Sequence, residues 1–146
     1  MEDANCCSKA EILLVDDFVF NLMPLKVVIE TNYNKVCDEA ENGRIAVDMY
    51  KESMTKTCCD VRYKIIFTDI EMPELDGVEE LVQIKQLETQ LRLQNPKLEP
   101  VRIVMVSCYD DADLIKKCIK LGAKDYLTKP VNAEKVKANC ESVFGQ

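Results

Sequence analysis

Short apolar runs alternate with longer stretches of helical periodicity along the chain. Five runs have the length and composition of β-strands, and they lie at 12–15, 35–38, 63–68, 101–106 and 125–128. After each run, apolar residues recur at helical spacing, which predicts helices at 20–31, 43–53, 78–94, 110–121 and 133–144. Because each parallel connection needs a crossover, this alternation predicts an α/β fold in which a five-stranded parallel sheet carries helices on both faces.

Turn and capping residues support several of these boundaries. Pro24 suits the first turn of the first helix, and Asn42 is a favourable N-cap for the second. Asn95-Pro96 should end the third helix, because the residue before a proline avoids the α region. Gly122 should end the fourth helix.

Length and charge narrow the class of protein. The 146 residues are the usual size of one domain and too few for two independent cores. We expect residues 1–10 to form a flexible N-terminal segment and residues 11–146 to form the domain. The formal net charge of -7 argues against a nucleic-acid-binding surface, which needs a basic patch. No apolar run is long enough to cross a bilayer and residues 1–10 contain no signal-peptide core, so we expect a cytoplasmic protein without direct membrane insertion.

The eight cysteines and the lack of histidine limit the possible chemistry. Cys6-Cys7 and Cys58-Cys59 are adjacent pairs and no C-x-x-C motif occurs, so the spacing does not suggest a metal site. A disulfide framework is arithmetically possible, but buried and surface thiols in a reducing compartment are the simpler interpretation. Without histidine, the chain has no histidine general base of its own.

Polar residues with distinctive chemistry follow four of the five predicted strands. Asp16-Asp17 follow the first strand, Asp69 follows the third, Ser107 the fourth and Lys129 the fifth. Functional groups in open parallel sheets gather beyond the carboxyl ends of the strands, near the point where strand order reverses. The sequence therefore predicts one site with three carboxylates, a hydroxyl and an ammonium group.

The chemistry of this set is coherent. Three carboxylates at close range repel each other unless a cation lies between them. Mg²⁺ fits best, because it prefers oxygen ligands and is often bound by one or two carboxylates together with phosphate oxygens. One carboxylate can then attack phosphorus and form an acyl phosphate, while Mg²⁺ and the lysine neutralise the transferring group. Singly, the acids could be helix caps, Ser107 a capping hydroxyl and Lys129 a solvated lysine, but all of these explanations must hold together for the site to be absent.

Four motifs, each at a strand end, resemble those of the receiver domain of two-component response regulators. They are Ile-Leu-Leu-Val-Asp16-Asp17, Ile-Ile-Phe-Thr-Asp69-Ile-Glu-Met-Pro73-Glu-Leu-Asp-Gly77, Ile-Val-Met-Val-Ser107 and Gly122-Ala-Lys-Asp-Tyr126-Leu-Thr-Lys129-Pro130. The resemblance extends from about Glu11 to Phe144. It implies a flavodoxin-like, doubly wound (βα)5 fold with strand order 2-1-3-4-5. It also implies a phosphorelay function, in which a histidine kinase or a histidine phosphotransfer protein supplies the phosphoryl group from a phosphohistidine.

The resemblance also implies roles for the acidic residues. Asp69 resembles the phosphoacceptor of the family, a residue that also binds Mg²⁺. Asp17 resembles a direct Mg²⁺ ligand, and Asp16 resembles a helper that acts largely through water. Glu71 occupies the position whose backbone carbonyl completes the metal site.

Three further residues resemble the family's switch machinery. Lys129 matches its lysine, Ser107 its switch hydroxyl and Tyr126 its aromatic switch residue, while Lys129-Pro130 resembles its cis Lys-Pro turn. Phosphorylation adds roughly -1.5 to -2 charges. We therefore expect Ser107 to move towards the new oxygens and Tyr126 to turn inward, which changes the surface formed by the fourth helix, the fifth strand and the fifth helix.

Some residues depart from the commonest family pattern. Cys108 stands where a small residue often follows the switch hydroxyl, and its bulk would narrow phosphoryl access. Asn21 fits the Asp-Asp-x-x-x-Asn pattern of receivers in hybrid histidine kinases, although Phe18 stands where those often carry asparagine. We expect either a stand-alone regulator or the receiver of a larger sensor kinase, and Asn21 favours the second.

Two other functions remain open on the sequence. A pseudo-receiver would keep the fold as an interaction module without phosphoryl chemistry, but it would usually lack one of the acids or the lysine. A phosphohydrolase of the haloacid dehalogenase type also uses an aspartate nucleophile and Mg²⁺, but it needs Asp-x-Asp on its first strand, where this chain has adjacent Asp16 and Asp17. We therefore expect a domain that takes a phosphoryl group on its own aspartate and loses it slowly, rather than a turnover enzyme.

Overall fold

The computed structural model describes residues 8–72 and 74–145, and in this part of the chain it confirms the predicted α/β fold. The strands are β1 (Ile12–Val15), β2 (Cys37–Ala40), β3 (Ile65–Asp69), β4 (Arg102–Ser107) and β5 (Asp125–Thr128). All four pairings are parallel, and the sheet order β2-β1-β3-β4-β5 is the order expected from the sequence. Strand order reverses between β1 and β3, so the crevice at their carboxyl ends is the place for a site.

Each strand leads into a helix. The helices are α1 (Met23–Tyr33), α2 (Gly43–Thr55), α3 (Gly77–Gln94), α4 (Ala112–Leu121) and α5 (Ala133–Phe144). Asn42 caps α2 as predicted, because its side chain accepts a hydrogen bond from the Ile45 backbone N–H. Gly122 ends α4 with a φ of 121°, a conformation that glycine adopts without strain.

The core has two layers because neighbouring strand residues face opposite sides of the sheet. In β3, Ile66 belongs to the cluster that includes residues of α2, α3 and α4. The next residue, Phe67, belongs to the cluster that includes residues of α1 and α5. Strands β1 and β3 are fully buried, which explains the unbroken apolar residues of β1 and of the first three positions of β3.

Strand β2 begins two residues later than the predicted run at 35–38. Lys35 lies before the strand, where its ammonium group is 2.7 Å from Glu11 Oε1. The strand itself carries Asp38 and Glu39 at a partly exposed edge of the sheet. An edge strand with so few apolar residues has a weak periodic signal, which explains the shift.

The first helix also differs from the predicted range of 20–31. A short 3-10 helix at Val19–Leu22 precedes it, and α1 then runs from Met23 to Tyr33. Pro24 lies in the first turn of α1, as predicted. The 3-10 segment stays beside the carboxyl end of β1, because Asn21 Nδ2 lies 3.3 Å from Asp16 Oδ1.

The described residues begin at Ser8, so positions 1–7 of the predicted flexible segment lie outside them. Ser8 Oγ donates a hydrogen bond to Asp38 Oδ2 at 2.5 Å, and Ala10 is buried in the core. Among the described residues, no helix is both long enough and apolar enough to cross a membrane.

Two glycines let helices approach the loop between β3 and α3. A Cβ atom on Gly77 would lie 2.2 Å from the backbone oxygen of Asp69, and one on Gly43 would lie 2.3 Å from the backbone oxygen of Leu75. Any larger residue would collide with backbone at either position. The loop after β3 is therefore held between the first turns of α2 and α3.

Candidate functional site

The carboxyl ends of the central strands meet at one edge of the sheet. Asp69, the last residue of β3, lies opposite Val106 of β4, and Ser107 lies opposite Thr128 of β5. Lys129 follows β5, and its backbone N–H donates to the Ser107 carbonyl oxygen at 2.8 Å. Parallel pairing in register thus brings residues that are distant in sequence to the same edge.

Three carboxylates form an acidic cluster there. Asp16, Asp17 and Asp69 each place a carboxylate oxygen within 4.8 Å of those of the other two. Asp16 and Asp69 are buried, whereas Asp17 is exposed. Oxygen donors at this separation suit a hard cation such as Mg²⁺, and the exposed side leaves room for water or for phosphate oxygens.

The electrostatics of Asp69 also fit a bound cation. Burial and the neighbouring Asp16 carboxylate raise the pKa of Asp69 to about 6, and Lys129 offsets only part of this effect. A dication among the three acids would favour the ionised form of Asp69 and reduce the repulsion. The residues present therefore fit Mg²⁺.

Lys129 lies opposite the two buried acids. Its Nζ atom is 3.2 Å from Asp16 Oδ2 and 3.3 Å from Asp69 Oδ1. Burial alone would lower the pKa of Lys129, but Asp69 and Asp16 more than offset this and raise it. The ammonium group therefore stays charged beside the acidic cluster. The Lys129-Pro130 peptide bond is cis, as the family resemblance implies.

Asp16 is held mainly by protein groups. Its Oδ1 accepts hydrogen bonds from the Phe18 backbone N–H at 2.9 Å and from Asn21 Nδ2 at 3.3 Å, while Oδ2 contacts Lys129. The role of Asp16 as a helper that acts through water stays a prediction. The sequence marked Asn21 only as part of a family pattern, and the structure adds its hydrogen bond to Asp16.

The predicted switch residues meet at the loop between β4 and α4. Ser107 is fully buried, and its Oγ accepts a hydrogen bond from the Tyr109 backbone N–H at 3.1 Å. Tyr126 is half-buried, and its hydroxyl donates to the Tyr109 carbonyl oxygen at 2.6 Å. Both side chains thus bond to the same loop residue. Glu71 lies exposed in the loop after β3, and its carbonyl as a metal ligand stays a prediction.

A cavity of about 400 Å³ opens beside Asp69 and Lys129. Phe20, Asn21 and Cys108 contribute to its walls. Cys108 therefore lies where the sequence placed it, at the approach to the phosphoacceptor.

An apolar surface adjoins this cavity, and sequence reasoning missed it. Five large hydrophobic side chains in the segment after β1 and on α1 are each more than half exposed, and we call them the apolar rim: Phe18, Val19, Phe20, Met23 and Val27. The rings of Phe18 and Phe20 pack edge to face, with centroids 5.8 Å apart. The signal for this surface was an apolar run directly after Asp16-Asp17 that lies outside the helix stripe formed by Leu25 and Ile29.

Sequence reasoning also missed a buried acid behind the site. Glu80 of α3 is fully buried, and its Oε1 lies 2.5 Å from Thr68 Oγ1. The signal was available, because Glu80 shares the helical stripe of Gly77, Leu81 and Ile84, and all of these are buried.

Residues 12–141 match the family model of the response regulator receiver domain. Over 125 residues, the chain is 36% identical to the chemotaxis protein CheY of Bacillus subtilis, and the alignment covers 86% of this chain and 89% of that protein. It is 33% identical over 120 residues to CheY of Halobacterium salinarum, with coverage of 82% and 84% respectively.

Solved structures are similar over nearly the whole chain. One belongs to the CheX-CheY-BeF3-Mg+2 complex from Borrelia burgdorferi, with a TM-score of 0.72, 29% identity and coverage of 92% of this chain and 89% of that chain. Another belongs to the co-crystal structure of the Saccharomyces cerevisiae histidine phosphotransfer protein Ypd1 and the receiver domain of Ssk1, with a TM-score of 0.76, 27% identity and coverage of 96% and 95%.

Proposed function

The chain belongs to the response regulator receiver domain family of two-component signalling, and we propose that Asp69 is its phosphoacceptor. The observation that carries this proposal is the position of Lys129, whose ammonium group lies 3.3 Å from Asp69 Oδ1 within a cluster of three carboxylates. A pseudo-receiver, which keeps the fold as an interaction module, has no need of this arrangement. The site supports phosphoryl chemistry because it contains a nucleophile, a fixed cation and ligands for Mg²⁺.

The metal site is built from residues of two strand ends and one loop. Asp17, Asp69 and the backbone carbonyl of Glu71 would hold Mg²⁺ directly, and Asp16 would act through water. When bound, the ion neutralises negative charge on the oxygens of the transferring phosphoryl group. The exposed face of Asp17 leaves space on the solvent side for those oxygens.

In the proposed reaction, a carboxylate oxygen of Asp69 attacks the phosphorus of a phosphohistidine. A P–O bond to Asp69 forms while the P–N bond to the donor histidine breaks, and the histidine leaves with that electron pair. Lys129 is placed to contact a phosphoryl oxygen, and its contact with Asp16 keeps it near the site. Later attack of water on phosphorus releases inorganic phosphate and regenerates the carboxylate. Since the group is taken on the domain's own side chain, the domain is not a turnover enzyme.

The phosphorylated state would be recognised by the loop between β4 and α4. We propose that the Ser107 hydroxyl leaves the Tyr109 backbone N–H and donates to a phosphoryl oxygen. Because the Tyr126 ring packs against the core and its hydroxyl bonds to the same loop residue, we expect the ring to move when this loop rearranges, which changes the surface of α4, β5 and α5. A beryllofluoride adduct should therefore shift the NMR resonances of the Tyr126 ring in the wild type and leave them unshifted in Ser107→Ala.

The phosphoryl donor is proposed to be a histidine kinase or a histidine phosphotransfer protein that docks on the apolar rim. Asp69 is buried, so the donor's histidine must enter the cavity, and the surface around that histidine must cover its edge. Phe20 belongs both to the wall of this cavity and to the apolar rim. Covering exposed aromatic side chains there would stabilise the complex. A solved structure similar to this chain contains a receiver domain with a histidine phosphotransfer protein, which supports a partner of this class.

Intact-protein mass spectrometry tests the proposal. With Mg²⁺ and acetyl phosphate, we expect one phosphoryl group per chain. We expect none when EDTA is present from the start of the reaction, and none in Asp69→Asn. Asp48→Asn changes an exposed acid on α2 in the same way and should behave like the wild type. A folded wild type without any adduct would favour the pseudo-receiver, and repeated turnover of an added phosphoester would favour a phosphohydrolase.

A further inference from the structure

A buried carboxyl group lies directly behind the phosphoacceptor strand. Glu80, in the first turn of α3, is fully buried, and its Oε1 lies 2.5 Å from Thr68 Oγ1. Thr68 precedes Asp69 in β3, and its Oγ1 lies 3.1 Å from the backbone carbonyl oxygen of Asp69. The three groups form a chain of contacts that ends on the backbone of the proposed phosphoacceptor.

The number of available protons decides which of these two contacts are hydrogen bonds. Thr68 has one hydroxyl proton, and the carbonyl oxygen of Asp69 can only accept a hydrogen bond. If Glu80 were ionised, it too could only accept, and a single proton would have to serve two acceptors. If Glu80 is protonated, it donates to Thr68 Oγ1 and Thr68 donates to the Asp69 carbonyl, so both contacts are hydrogen bonds.

The surroundings of Glu80 also favour the neutral acid. Burial raises the pKa of Glu80 to about 8, with a further contribution from Asp76, and the bond with Thr68 offsets only part of this rise. Within the described part of the chain, Oε2 of Glu80 has no hydrogen-bond partner and no lysine or arginine forms an ion pair with the side chain. An unpartnered oxygen is far more costly on a buried carboxylate than on a neutral acid.

The same turn of α3 contacts the end of β3 at a second point. Gly77 packs so closely on Asp69 that a Cβ atom would lie 2.2 Å from the Asp69 backbone oxygen. The Gly77 backbone N–H also donates to the Ile70 carbonyl oxygen at 2.8 Å. Gly77 and Glu80 are three residues apart on one helix face, so the first turn of α3 holds the peptide groups on both sides of Ile70: Glu80 acts through Thr68 on the Asp69 carbonyl, and Gly77 binds the Ile70 carbonyl.

We propose that Glu80 is a positioning residue for phosphoryl acceptance. As a neutral acid it orients the Thr68 hydroxyl, which holds the backbone of Asp69 and thereby keeps the Asp69 carboxylate opposite Lys129. The link to phosphorylation rests on the proposed function of Asp69. The protonation of Glu80 and its bond to Thr68 are independent of that function and can be measured separately.

Four variants test this arrangement. Glu80→Gln keeps a donor to Thr68 and should preserve both hydrogen bonds, whereas Glu80→Leu removes the donor. Thr68→Val removes only the hydroxyl group. Glu79→Gln makes the same change on the neighbouring exposed acid and is the matched control.

Infrared spectroscopy and NMR provide readouts that do not need phosphorylation. At pH 7 with Mg²⁺, we expect a carbonyl band of a protonated carboxylic acid in the wild type and in Glu79→Gln, and its loss in Glu80→Gln. The ¹³C resonance of the Asp69 backbone carbonyl should shift in Glu80→Leu and Thr68→Val and stay in place in Glu80→Gln. With acetyl phosphate, Asp69 should be phosphorylated about three- to tenfold more slowly in Glu80→Leu and Thr68→Val, the effect of one lost neutral hydrogen bond, and within about twofold of wild type in Glu80→Gln.

The outcomes separate the inference from the proposed function. Absence of the acid band from the wild type, or its survival in Glu80→Gln, would mean that Glu80 is ionised and would overturn the inference. An unchanged Asp69 carbonyl resonance in Glu80→Leu would also overturn it. A wild type that forms no acyl phosphate defeats the proposed function, while the band and the resonance still decide the role of Glu80. If Glu80→Leu does not fold, Thr68→Val decides in its place.

Discussion

Replacing Asp69 by asparagine should stabilise the metal-free protein. The carboxylate of Asp69 is buried beside Asp16, and its pKa is raised from 3.8 to about 6. This rise corresponds to about 3 kcal/mol of free energy that ionising Asp69 costs the folded state. Asparagine has a similar shape without the charge, and Lys129 keeps Asp16 as a partner. Since a buried amide also has a desolvation cost, we expect Asp69→Asn to raise the free energy of unfolding at pH 7.5 in EDTA by about 1–3 kcal/mol.

The pH dependence follows from the same shift. The folded state holds a proton on Asp69 up to about pH 6, whereas the unfolded chain releases it near pH 3.8. Stability of the metal-free wild type should therefore fall as pH rises between these values and stay low above them. Asp69→Asn should lack this part of the pH dependence.

Urea denaturation in EDTA and in saturating Mg²⁺ measures these differences. Mg²⁺ should stabilise the wild type strongly and Asp69→Asn weakly, because the metal binds only the folded cluster. Asp48→Asn, at an exposed position, should change neither the stability nor the response to Mg²⁺. Equal or lower stability of Asp69→Asn in EDTA would refute the reasoning that the acidic cluster is destabilising without a cation.

Three further predictions concern other parts of the site. Lys129→Met should slow phosphorylation by acetyl phosphate about 10²-fold while Mg²⁺ titration shows undiminished affinity, because the lysine stabilises the transferring group and is not a metal ligand; a normal rate would exclude this role. Val27→Asp in the apolar rim should slow transfer from a phosphohistidine donor protein at least about tenfold but leave the acetyl phosphate rate unchanged. Val36→Asp, which alters an exposed valine outside the apolar rim, is its control, and an equal loss in both variants would remove the rim as the docking surface. In Mg²⁺, the wild type should lose stability as pH rises from 4.5 to about 8, because folded Glu80 keeps its proton over this range. Glu80→Gln should not show this loss, and parallel pH profiles of the two proteins would show that Glu80 does not titrate there.

The sequence predicted all five strands, and their bounds agree with the structure to within two residues. Strands β1 and β5 have the predicted bounds, and the predicted strand order was confirmed. The edge strand β2 was misplaced by two residues, because its polar residues carry little periodic signal. The 3-10 segment before α1 was predicted as helix, since apolar spacing alone does not distinguish the two helix types over one turn.

The candidate site was predictable because its residues end strands or directly follow them. Asp16, Asp17, Asp69 and Lys129 need only parallel pairing in register to come together, so their proximity could be inferred without any side-chain geometry. The role of Glu80 could not be inferred in the same way. Its contact with Thr68 depends on how the first turn of α3 sits against the end of β3, and the close approach at Gly77 sets that geometry.

Reductive trapping of the phosphorylated protein is the most direct test of the account. Borohydride converts an aspartyl phosphate to homoserine, so peptide mass spectrometry after treatment with acetyl phosphate and Mg²⁺ identifies the modified position. We expect homoserine at position 69 alone, and none when EDTA is present. Homoserine at Asp16 or Asp17, or no trapped product from a folded protein that binds Mg²⁺, would contradict the assignment of Asp69 as the phosphoacceptor.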